Sequence, residues 1–403
     1  MRKLTAIILC ACLTATLCGC GQDKETSVGS TSQNSSVVSN NSSESSSSST
    51  SSTTSTEQSS SSTTESSSES EPTSVTPEED PNTPKETFSE GDYDYQEYKN
   101  GVKLIYYYGD GEGELVIPDT FGGKPVVALG DYLYAQKDFT SIVIPDSVTE
   151  FGLAVFNNCS KLESVNIPKG VTSLSCVFNG SYSKGTANYQ GLFACCTALK
   201  SITLPDSVTE IGDYVFFLCN NLESINIPDN VVKIGDFAFN GTSLNITAIP
   251  DSVTEIGDNA FTGCDMTSLI IGNGVTTIGN EAFSKCKNLT DLTIGNGVTT
   301  IGENAFYSCS KLTNVTIGSV TEIRYSAFGY CGSLTSISLP DSLTTIGQYA
   351  FRYCNSLTEM TLPDSVTKVT GLETLPPNAS ITYKGRTYEP KDHTRLFAII
   401  NGG

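Results

Sequence analysis

The fold is decided by Leu222-Glu-Ser-Ile-Asn-Ile-Pro-Asp-Asn-Val-Val-Lys-Ile-Gly-Asp-Phe-Ala-Phe239, because close copies of this stretch recur along the chain. Residues 249–258, for example, read Ile-Pro-Asp-Ser-Val-Thr-Glu-Ile-Gly-Asp. The closing phenylalanine returns every 22 or 23 residues, at Phe216, Phe239, Phe261, Phe283, Phe306, Phe328 and Phe351. A fixed period of this length is typical of a solenoid in which each copy forms one coil.

The apolar residues within one copy predict how a coil folds. Ile225 and Ile227 alternate with polar residues, which indicates a short strand. Pro228 ends that strand because proline has no N–H to donate to a ladder. Asp236 is placed to cap a short helical turn that carries Phe239 inward. One coil has no facing layer of its own, so the sequence predicts an α/β solenoid whose stacked coils form a common core.

Residues on either side of these copies extend the solenoid. Tyr134, Phe156 and Phe193 fit the same frame, which makes about ten coils. A hairpin predicted over 102–118, around Gly109-Asp110-Gly111, would cap the first coil, and a hairpin at 381–388 with a short helix at 396–400 would close the last. The predicted boundaries are 92–135 for the N-terminal cap and first coil, 136–370 for the solenoid with an insertion at about 176–191, and 371–403 for the C-terminal cap.

The residues before the repeat have two parts. Met1-Arg2-Lys3 and a mostly apolar run to Leu17, too short to span a bilayer as a helix, predict a signal peptide over 1–19. The run ends in Leu17-Cys18-Gly19-Cys20, which resembles the bacterial lipoprotein signal and implies that Cys20 is the lipidated mature N-terminus; an ordinary secretory signal is the alternative. Residues 20–91 are rich in Ser and Thr, which predicts a disordered tether and a candidate for O-glycosylation.

The repeat resembles a known family. The stretch from Leu199 to Leu222 nearly matches the motif L-x-x-I-x-I-P-D-S-V-T-x-I-G-x-x-A-F-x-x-C-x-x-L of the BspA-like leucine-rich repeat proteins of bacterial cell surfaces. The resemblance covers roughly residues 102–370 and implies a leucine-rich-repeat solenoid that is displayed for protein or carbohydrate interaction, chiefly adhesion. It implies no catalytic residues. The inward Asn slot of the ordinary leucine-rich repeat is altered here, as shown by Ser207, Asn230, Ser252, Gly274 and Gly297.

Charge and composition exclude several classes of function. Lys and Arg number 23 against 44 Asp and Glu, which gives a net charge of −21 and makes nucleic acid a poor partner. The sole histidine, His393, leaves one candidate base for a His-dependent mechanism and no His-rich zinc site. The sequence shows no nucleophile–base pair, paired-carboxylate cleft or phosphate loop. We therefore expect a protein that is not an enzyme and that holds no cofactor and no metal.

Fourteen cysteines invite a disulfide or metal interpretation. Eight of them follow the repeat aromatic residue by three positions, which predicts a buried slot: Cys159, Cys196, Cys219, Cys264, Cys286, Cys309, Cys331 and Cys354. The coil of Phe239 lacks this cysteine, so the eight fall into runs of three and five, and such odd runs favour reduced thiols. Cys176 and Cys195 lie outside this ladder and bracket the insertion, so a disulfide between them remains open.

Two further ladders have both a functional and a structural interpretation. Aspartates that follow a proline suggest calcium ligands, but local hydrogen bonds to turn amides are favoured: Asp206, Asp229, Asp251 and Asp341. Two outward slots near the predicted strand hold Thr290, Thr313, Thr335 and Thr358 in one and Thr293, Thr316, Ser338 and Thr361 in the other. This flat surface suits a glycan or a neighbouring chain, yet threonine also simply suits exposed strands.

Two features depart from the repeat in ways that the core does not need. The insertion carries Tyr182, Lys184 and Tyr189 among Gly, Ser and Asn, a composition typical of contact loops. The Tyr/Arg cluster occupies slots that are polar or small in most other coils, and it comprises Tyr307, Arg324, Tyr325, Tyr330, Tyr349, Arg352 and Tyr353. Tyrosine and arginine are frequent in binding hot spots. Since Tyr330 and Tyr353 share one slot in adjacent coils, their rings should be neighbours.

These observations favour a lipid-anchored, extracytoplasmic protein of the bacterial cell surface. Its expected partner is a surface protein or glycan of a host or of a neighbouring cell, and its expected membrane contact is the lipid anchor alone. The alternative is a structural spacer or envelope component without a soluble ligand. An enzyme is the third and least favoured class, because an extended solenoid offers little enclosed space for a substrate.

Overall fold

The computed structural model describes residues 86–175 and 190–402. They form a β-solenoid of about twelve turns with little helix. The sequence predicts only about ten coils because the outermost turns do not carry the repeat aromatic residue. In the last turn Thr374 holds the slot of the alanine that precedes the aromatic residue, because its carbonyl accepts a hydrogen bond from the Phe351 N–H (3.0 Å), and the aromatic slot holds Leu375.

One ladder of strands, the front ladder, lies where the sequence predicts a strand in each coil. Its strands are β4 (Glu112–Val116), β7 (Asp138–Val143), β9 (Ser164–Val165), β10 (Ser201–Ile202), β12 (Ser224–Ile225), β14 (Ala248–Ile249), β16 (Ser268–Ile271), β18 (Asp291–Ile294), β20 (Asn314–Ile317), β22 (Ser336–Ser338), β24 (Glu359–Leu362) and β26 (Ser380–Tyr383). Paired neighbours run parallel, but pairing is interrupted between β9 and β10, between β12 and β14, and between β22 and β24.

A second ladder, the side ladder, was not predicted from the sequence. Its strands are β3 (Gly101–Tyr107), β6 (Lys124–Leu129), β8 (Glu150–Phe151), β11 (Glu210–Ile211), β13 (Lys233–Ile234), β15 (Glu255–Ile256), β17 (Thr277–Ile278), β19 (Thr300–Ile301), β21 (Glu322–Ile323), β23 (Thr345–Ile346) and β25 (Lys368–Val369). An isolated parallel bridge joins Ser173 to Glu210. Each coil therefore contains two short strands. The second strand is formed by the segment after the proline, which the sequence predicted only to return to the core.

Proline and glycine set the length of several front strands. β16, β18 and β20 have four residues each and are followed by glycine. The N–H groups of Gly272, Gly295 and Gly318 donate to the preceding coil at 3.0, 2.9 and 2.9 Å. Proline holds this position after β10, β12 and β14 and cannot donate, and these strands have two residues each.

The predicted helical turns are wrong. Residues 236–241 form turns with positive φ at Phe237 (56°) and Gly241 (73°). The Phe237 N–H donates to Asp258 and the Phe239 N–H donates to Ala260, both in the next coil, at 2.9 and 2.8 Å. An α-helix needs these donors for carbonyls four residues earlier in its own segment. Bonds between coils therefore replace bonds within a helix, and the fold is a β-solenoid rather than an α/β alternation.

The core is a column of buried aromatic rings. Successive phenylalanines from Phe156 to Phe351 stack with ring centres 5.1–5.6 Å apart and planes within 14°. The eight ladder cysteines are buried, have free thiols, and place their Sγ atoms 3.0–3.3 Å from the carbonyl of the repeat aromatic residue in the preceding coil. Thr242 fills the same slot where the cysteine is missing. This arrangement confirms the predicted buried thiols.

The N-terminal cap differs from the prediction. β1 (Thr87–Glu90), β2 (Tyr93–Tyr98) and β3 form an antiparallel meander, whereas β3 and β4 belong to different sheets. The hairpin turn therefore lies at residues 99–100 and not at Gly109-Asp110-Gly111, because β4 pairs with β7 of the next coil instead. β1 also falls inside the range 20–91 that was predicted as tether, so the folded part begins at least as early as Thr87. A short β5 (Thr120–Phe121) pairs antiparallel with β6.

At the C-terminal end, β26 and β27 (Arg386–Tyr388) form an antiparallel hairpin. The 3-10 helices Leu372–Thr374 and Pro390–Asp392 and the α-helix α1 (His393–Ile400) complete this end. The Asn401 side-chain amide bonds both the N–H and the carbonyl of Val369 (3.1 and 3.0 Å), which covers the open edge of β25. No helix within the described residues is both long and apolar enough to cross a membrane.

Candidate functional site

Part of the predicted site lies within the described residues. Cys20, Tyr182, Lys184 and Tyr189 lie outside the described residues, as does Cys176, so the lipidation site, the insertion contacts and the Cys176–Cys195 disulfide stay predictions. The Tyr/Arg cluster lies within the described chain, on the turns of the coils that carry Phe306, Phe328 and Phe351. Six of its seven members contact one another through their side chains.

Three tyrosines form a continuous row across neighbouring coils. The ring centres of Tyr307 and Tyr330 are 5.1 Å apart, and those of Tyr330 and Tyr353 are 4.5 Å apart. The predicted contact between Tyr330 and Tyr353 is therefore confirmed. Both of these side chains remain exposed, at 45% and 38% of their full area, so the row forms part of the surface rather than of the core.

Arg352 joins this row to a second tyrosine pair. Its guanidinium lies 4.7 Å from the ring centre of Tyr349 and 4.8 Å from that of Tyr353. Tyr349 in turn packs edge-on against Tyr325, with ring centres 5.5 Å apart. Glu373 forms an ion pair with Arg352 at 2.9 Å. Stacking and ion pairing together hold the guanidinium in one orientation.

Arg324 is the member that the structure separates from the others. Its Nε lies 3.3 Å from a carboxylate oxygen of Glu322, two residues earlier in the chain. Both side chains are well exposed, so this pair contributes little to stability. Arg324 is therefore not part of the stacked group, and its role in binding stays a prediction.

A cleft of about 390 Å³ opens beside the stacked residues. One wall is formed by cluster members, and the other by residues that the sequence analysis missed, namely Glu281, Ser284, Lys285, Asn304 and Ser326. Glu281 and Asn304 occupy the slot of Tyr349 in earlier coils, and Lys285 occupies the slot of Tyr330. Following these two slots upstream along the repeat would have found this wall.

The backbone at these two slots is unusual for tyrosine. Tyr330, Tyr349 and Tyr353 have φ values of 62°, 63° and 61°, in the left-handed region that large side chains seldom adopt. The same two slots have positive φ throughout the solenoid, in residues as different as Tyr214, Phe237 and Leu218. This conformation is therefore a property of the turns of the repeat and does not distinguish the Tyr/Arg cluster from other coils.

Tyr307 is the least exposed ring of the row. Burial, and secondarily the neighbouring Tyr330, raise the pKa of Tyr307 above its ordinary value. Tyr307 also lines the cleft. With the guanidinium of Arg352 and the ammonium of Lys285, the cleft is richer in donors than in acceptors.

The threonine and aspartate ladders are mostly structural. The hydroxyl of Thr313 donates to the carbonyl of Thr290 (2.9 Å) and that of Thr335 donates to Thr313 (3.1 Å). Asp251 accepts a hydrogen bond from the Asn273 N–H of the next coil (2.6 Å), so the expected local turn bond is instead a bond between coils. Thr293 and the paired Thr316 are exposed on the front ladder.

Comparison with known proteins identifies the repeat. A family model described as "BspA type Leucine rich repeat region (6 copies)" matches residues 127–265 and 254–371. No curated protein matches the chain. Among solved structures, the chain is similar to the pneumococcal vaccine antigen PcpA, with 19% identity over 74% of this chain and 81% of that chain and a TM-score of 0.51. This likeness supports the solenoid fold.

Two further structures are similar over most of their length. One is a leucine-rich cell surface protein from Faecalibacterium prausnitzii, with 28% identity over 75% of this chain and 96% of that chain and a TM-score of 0.40. The other is a leucine-rich repeat protein from Bacteroides ovatus, with 25% identity over 73% and 90% and a TM-score of 0.41. Since the family model matches more than half of its residues, this chain belongs to the BspA-type leucine-rich repeat family.

Proposed function

We propose that this protein is a lipid-anchored bacterial cell-surface protein that binds a surface protein or glycan of a host or of a neighbouring cell through the Tyr/Arg cluster. Cys20 anchors it to the extracytoplasmic side of the membrane. Family membership supports a binding or adhesion role. The role is non-enzymatic, since binding requires no chemical step.

One observation carries this proposal: Arg352 is stacked between Tyr349 and Tyr353 at the edge of a cleft. An arginine that is already held in one orientation loses less conformational freedom when a partner binds. The surrounding tyrosines add large contact area at a low entropic cost, because each has only two side-chain torsions. The core needs none of these side chains, so binding is the economical explanation for their presence.

The test exposes the full chain to an immobilised panel of extracellular-matrix proteins and glycans. We expect at least one specific partner, and we expect the double variant Tyr330→Ala/Tyr353→Ala to weaken its binding about 30-fold, which corresponds to roughly 2 kcal/mol. The melting temperature should stay within a few degrees of the wild-type value, since both rings are exposed.

Thr293→Lys/Thr316→Lys is the matched control, because it alters the exposed front ladder and leaves the cluster untouched. If this control abolishes binding while the tyrosine variant retains it, the partner occupies the front ladder and the proposed site is incorrect. If no member of the panel is bound, the alternative of a structural spacer is favoured.

A further inference from the structure

The front ladder opens between β9 and β10, although the same two coils remain in contact behind it. In the next pair of coils the Glu223 N–H donates to the Lys200 carbonyl at 2.9 Å. The equivalent bond, from the Lys200 N–H to the Glu163 carbonyl, is absent from the described residues. Behind the opening, the rings of Phe193 and Phe216 in the same two coils are 5.6 Å apart, and Ser173 bridges to Glu210. The two coils therefore diverge on their strand side alone.

A groove of about 730 Å³ occupies this opening. Small hydroxyl side chains line much of it, namely Ser141, Ser164, Ser201 and Thr203. Val143 is 50% exposed and adds apolar surface, while Glu163 and Lys169 add one charge of each sign. The groove therefore offers polar contacts around a small apolar base without a net charge.

Two asparagines in nearby coils show which chemical group satisfies the backbone hydrogen bonds at the equivalent position of the front ladder. The Asn166 amide accepts a hydrogen bond from the Ile144 N–H (2.7 Å) and donates one to the Ile144 carbonyl (2.8 Å). The Asn226 amide makes the same two bonds with Leu204, both at 2.8 Å. In each case one primary carboxamide satisfies both backbone polar groups of one residue in the preceding coil.

The coil between these two asparagines lacks such an amide. It holds Thr203 in the asparagine slot, and the backbone residue that this slot faces is Ile167. Neither the N–H nor the carbonyl of Ile167 has a hydrogen-bond partner among residues 86–175 and 190–402. Ile167 is nevertheless only 7% exposed and lines the groove. Among the described residues, the backbone of Ile167 therefore presents one unused donor and one unused acceptor beside the groove.

We propose that this groove binds a protein segment that inserts an asparagine or glutamine side chain, whose primary carboxamide bonds the N–H and the carbonyl of Ile167. A whole strand does not fit, because Cα atoms of β9 and β10 lie within 8 Å of each other. An intervening strand would separate them by about 9.6 Å.

The acetamido group of an amino sugar does not fit either. Its secondary amide is trans, so its N–H and its carbonyl point to opposite sides and cannot both face one backbone residue. A primary carboxamide presents an oxygen and an N–H on the same side, as Asn166 and Asn226 do. The primary carboxamide of a protein side chain is therefore the group that matches the two internal examples. The groove lies in different coils from the Tyr/Arg cluster and does not depend on that cluster being a binding site.

Propionamide is the probe for this site, and the test uses the full chain labelled with ¹⁵N-isoleucine. We expect the Ile167 N–H resonance, assigned by its loss in Ile167→Val, to shift at millimolar propionamide. N-methylacetamide, a trans secondary amide, and propionate, which has no donor, should leave it unchanged. Thr203→Asn should abolish the shift, because the new amide occupies the site as Asn166 and Asn226 do in their coils.

Thr316→Asn is the matched control, because it makes the same change in the same slot of β20, where the strands on both sides pair directly. This variant should respond to propionamide as the wild type does. The proposal is overturned if Ile167 does not respond to propionamide, if N-methylacetamide shifts it equally, or if the response survives in Thr203→Asn. The comparison of the three probes on the wild-type chain decides the question even if Thr203→Asn does not fold.

Discussion

The guanidinium of Arg352 lies 4.7 Å from the ring centre of Tyr349 while an Nη of the same group contacts Glu373 at 2.9 Å. Tyr349 and Glu373 come from different coils, so Arg352 connects two turns of the solenoid at its surface. A guanidinium is planar and can stack and bond in its plane at the same time. Arg352 is therefore the residue of the Tyr/Arg cluster whose chemistry is least replaceable.

We predict that Arg352→Lys weakens partner binding about tenfold, which equals roughly 1.4 kcal/mol. Lysine keeps the charge but cannot stack as a plane between Tyr349 and Tyr353 or present a fork of donors. Titration of the partner in biolayer interferometry measures this change. Arg324→Lys is the matched control and should bind normally, because the Arg324 side chain pairs with Glu322 and lies outside the stacked group. Equal losses in both variants would mean that charge alone matters.

We predict that Cys20→Ala releases the protein from the membrane fraction. Without the thiol no lipid can be attached, and the predicted membrane contact is the lipid anchor alone. Fractionation of cells, with mass spectrometry of the mature N-terminus, measures this outcome. Cys18→Ala is the control and should leave anchoring intact. A Cys20→Ala protein that remains processed and membrane-bound would contradict lipid anchoring.

We predict that the eight ladder thiols resist alkylation in the native protein and react in denaturant. Burial raises the pKa of Cys159, Cys264 and Cys354 to about 12, so almost no reactive thiolate forms at pH 8. Peptide mapping after iodoacetamide treatment of the full chain gives the modified fraction at each cysteine. Rapid modification of the native protein would show that these cysteines are accessible. Disulfide-linked peptides from adjacent coils would show that they are oxidised.

The repeat period predicted much of this structure because it reports which side chains point inward. The stacked rings from Phe156 to Phe351, the buried cysteines and the Tyr330–Tyr353 contact all follow from slots that recur every 22 or 23 residues. Coils that stack in register place equal slots side by side. A contact between two residues in one slot therefore needs no knowledge of the backbone between them.

Hydrogen-bond partners could not be predicted in the same way. Inward residues such as Ala238 and Phe239 have the same spacing whether their N–H groups bond within a helix or to the next coil. The period therefore left the helical turns, the side ladder and the position of the first hairpin undetermined. It also gave no sign of the unpaired backbone at Ile167, because that feature depends on whether the next coil offers an amide or Thr203.

We predict that Asp236→Asn stabilises the solenoid at neutral pH. The Asp236 carboxylate accepts a hydrogen bond from the Asp258 N–H (2.7 Å), and the Asp236 N–H donates one to the Asp213 carboxylate (2.8 Å). Burial first, and then the charges of Asp213 and Asp258, raise the pKa of Asp236. Asn280 already makes the equivalent backbone bond as an amide and also donates to Asp258 (3.2 Å). The expected gain is roughly 0.5 kcal/mol, the size of one like-charge contact between neighbouring strands.

The raised pKa of Asp236 determines how the stability difference between variant and wild type should depend on pH. A raised carboxyl pKa means that the folded state holds the proton more tightly, so the stability associated with Asp236 is lost as the pH rises from the ordinary aspartate pKa of 3.8 through the folded value. Urea unfolding should therefore show Asp236→Asn and wild type as equally stable near pH 3, and the variant as more stable at pH 7.

Asp291→Asn is the control, and its change in stability at neutral pH should have the opposite sign. Hydrogen bonds from Asn314 and Thr290 lower the pKa of Asp291, so its charge stabilises the fold at neutral pH and that contribution is lost as the pH falls through the lowered value. This variant should be less stable than wild type at pH 7 and should match it in strong acid. If both variants change stability in the same direction at pH 7, the charges of Asp236 and Asp291 do not decide their contributions and the explanation from the pKa shifts is wrong.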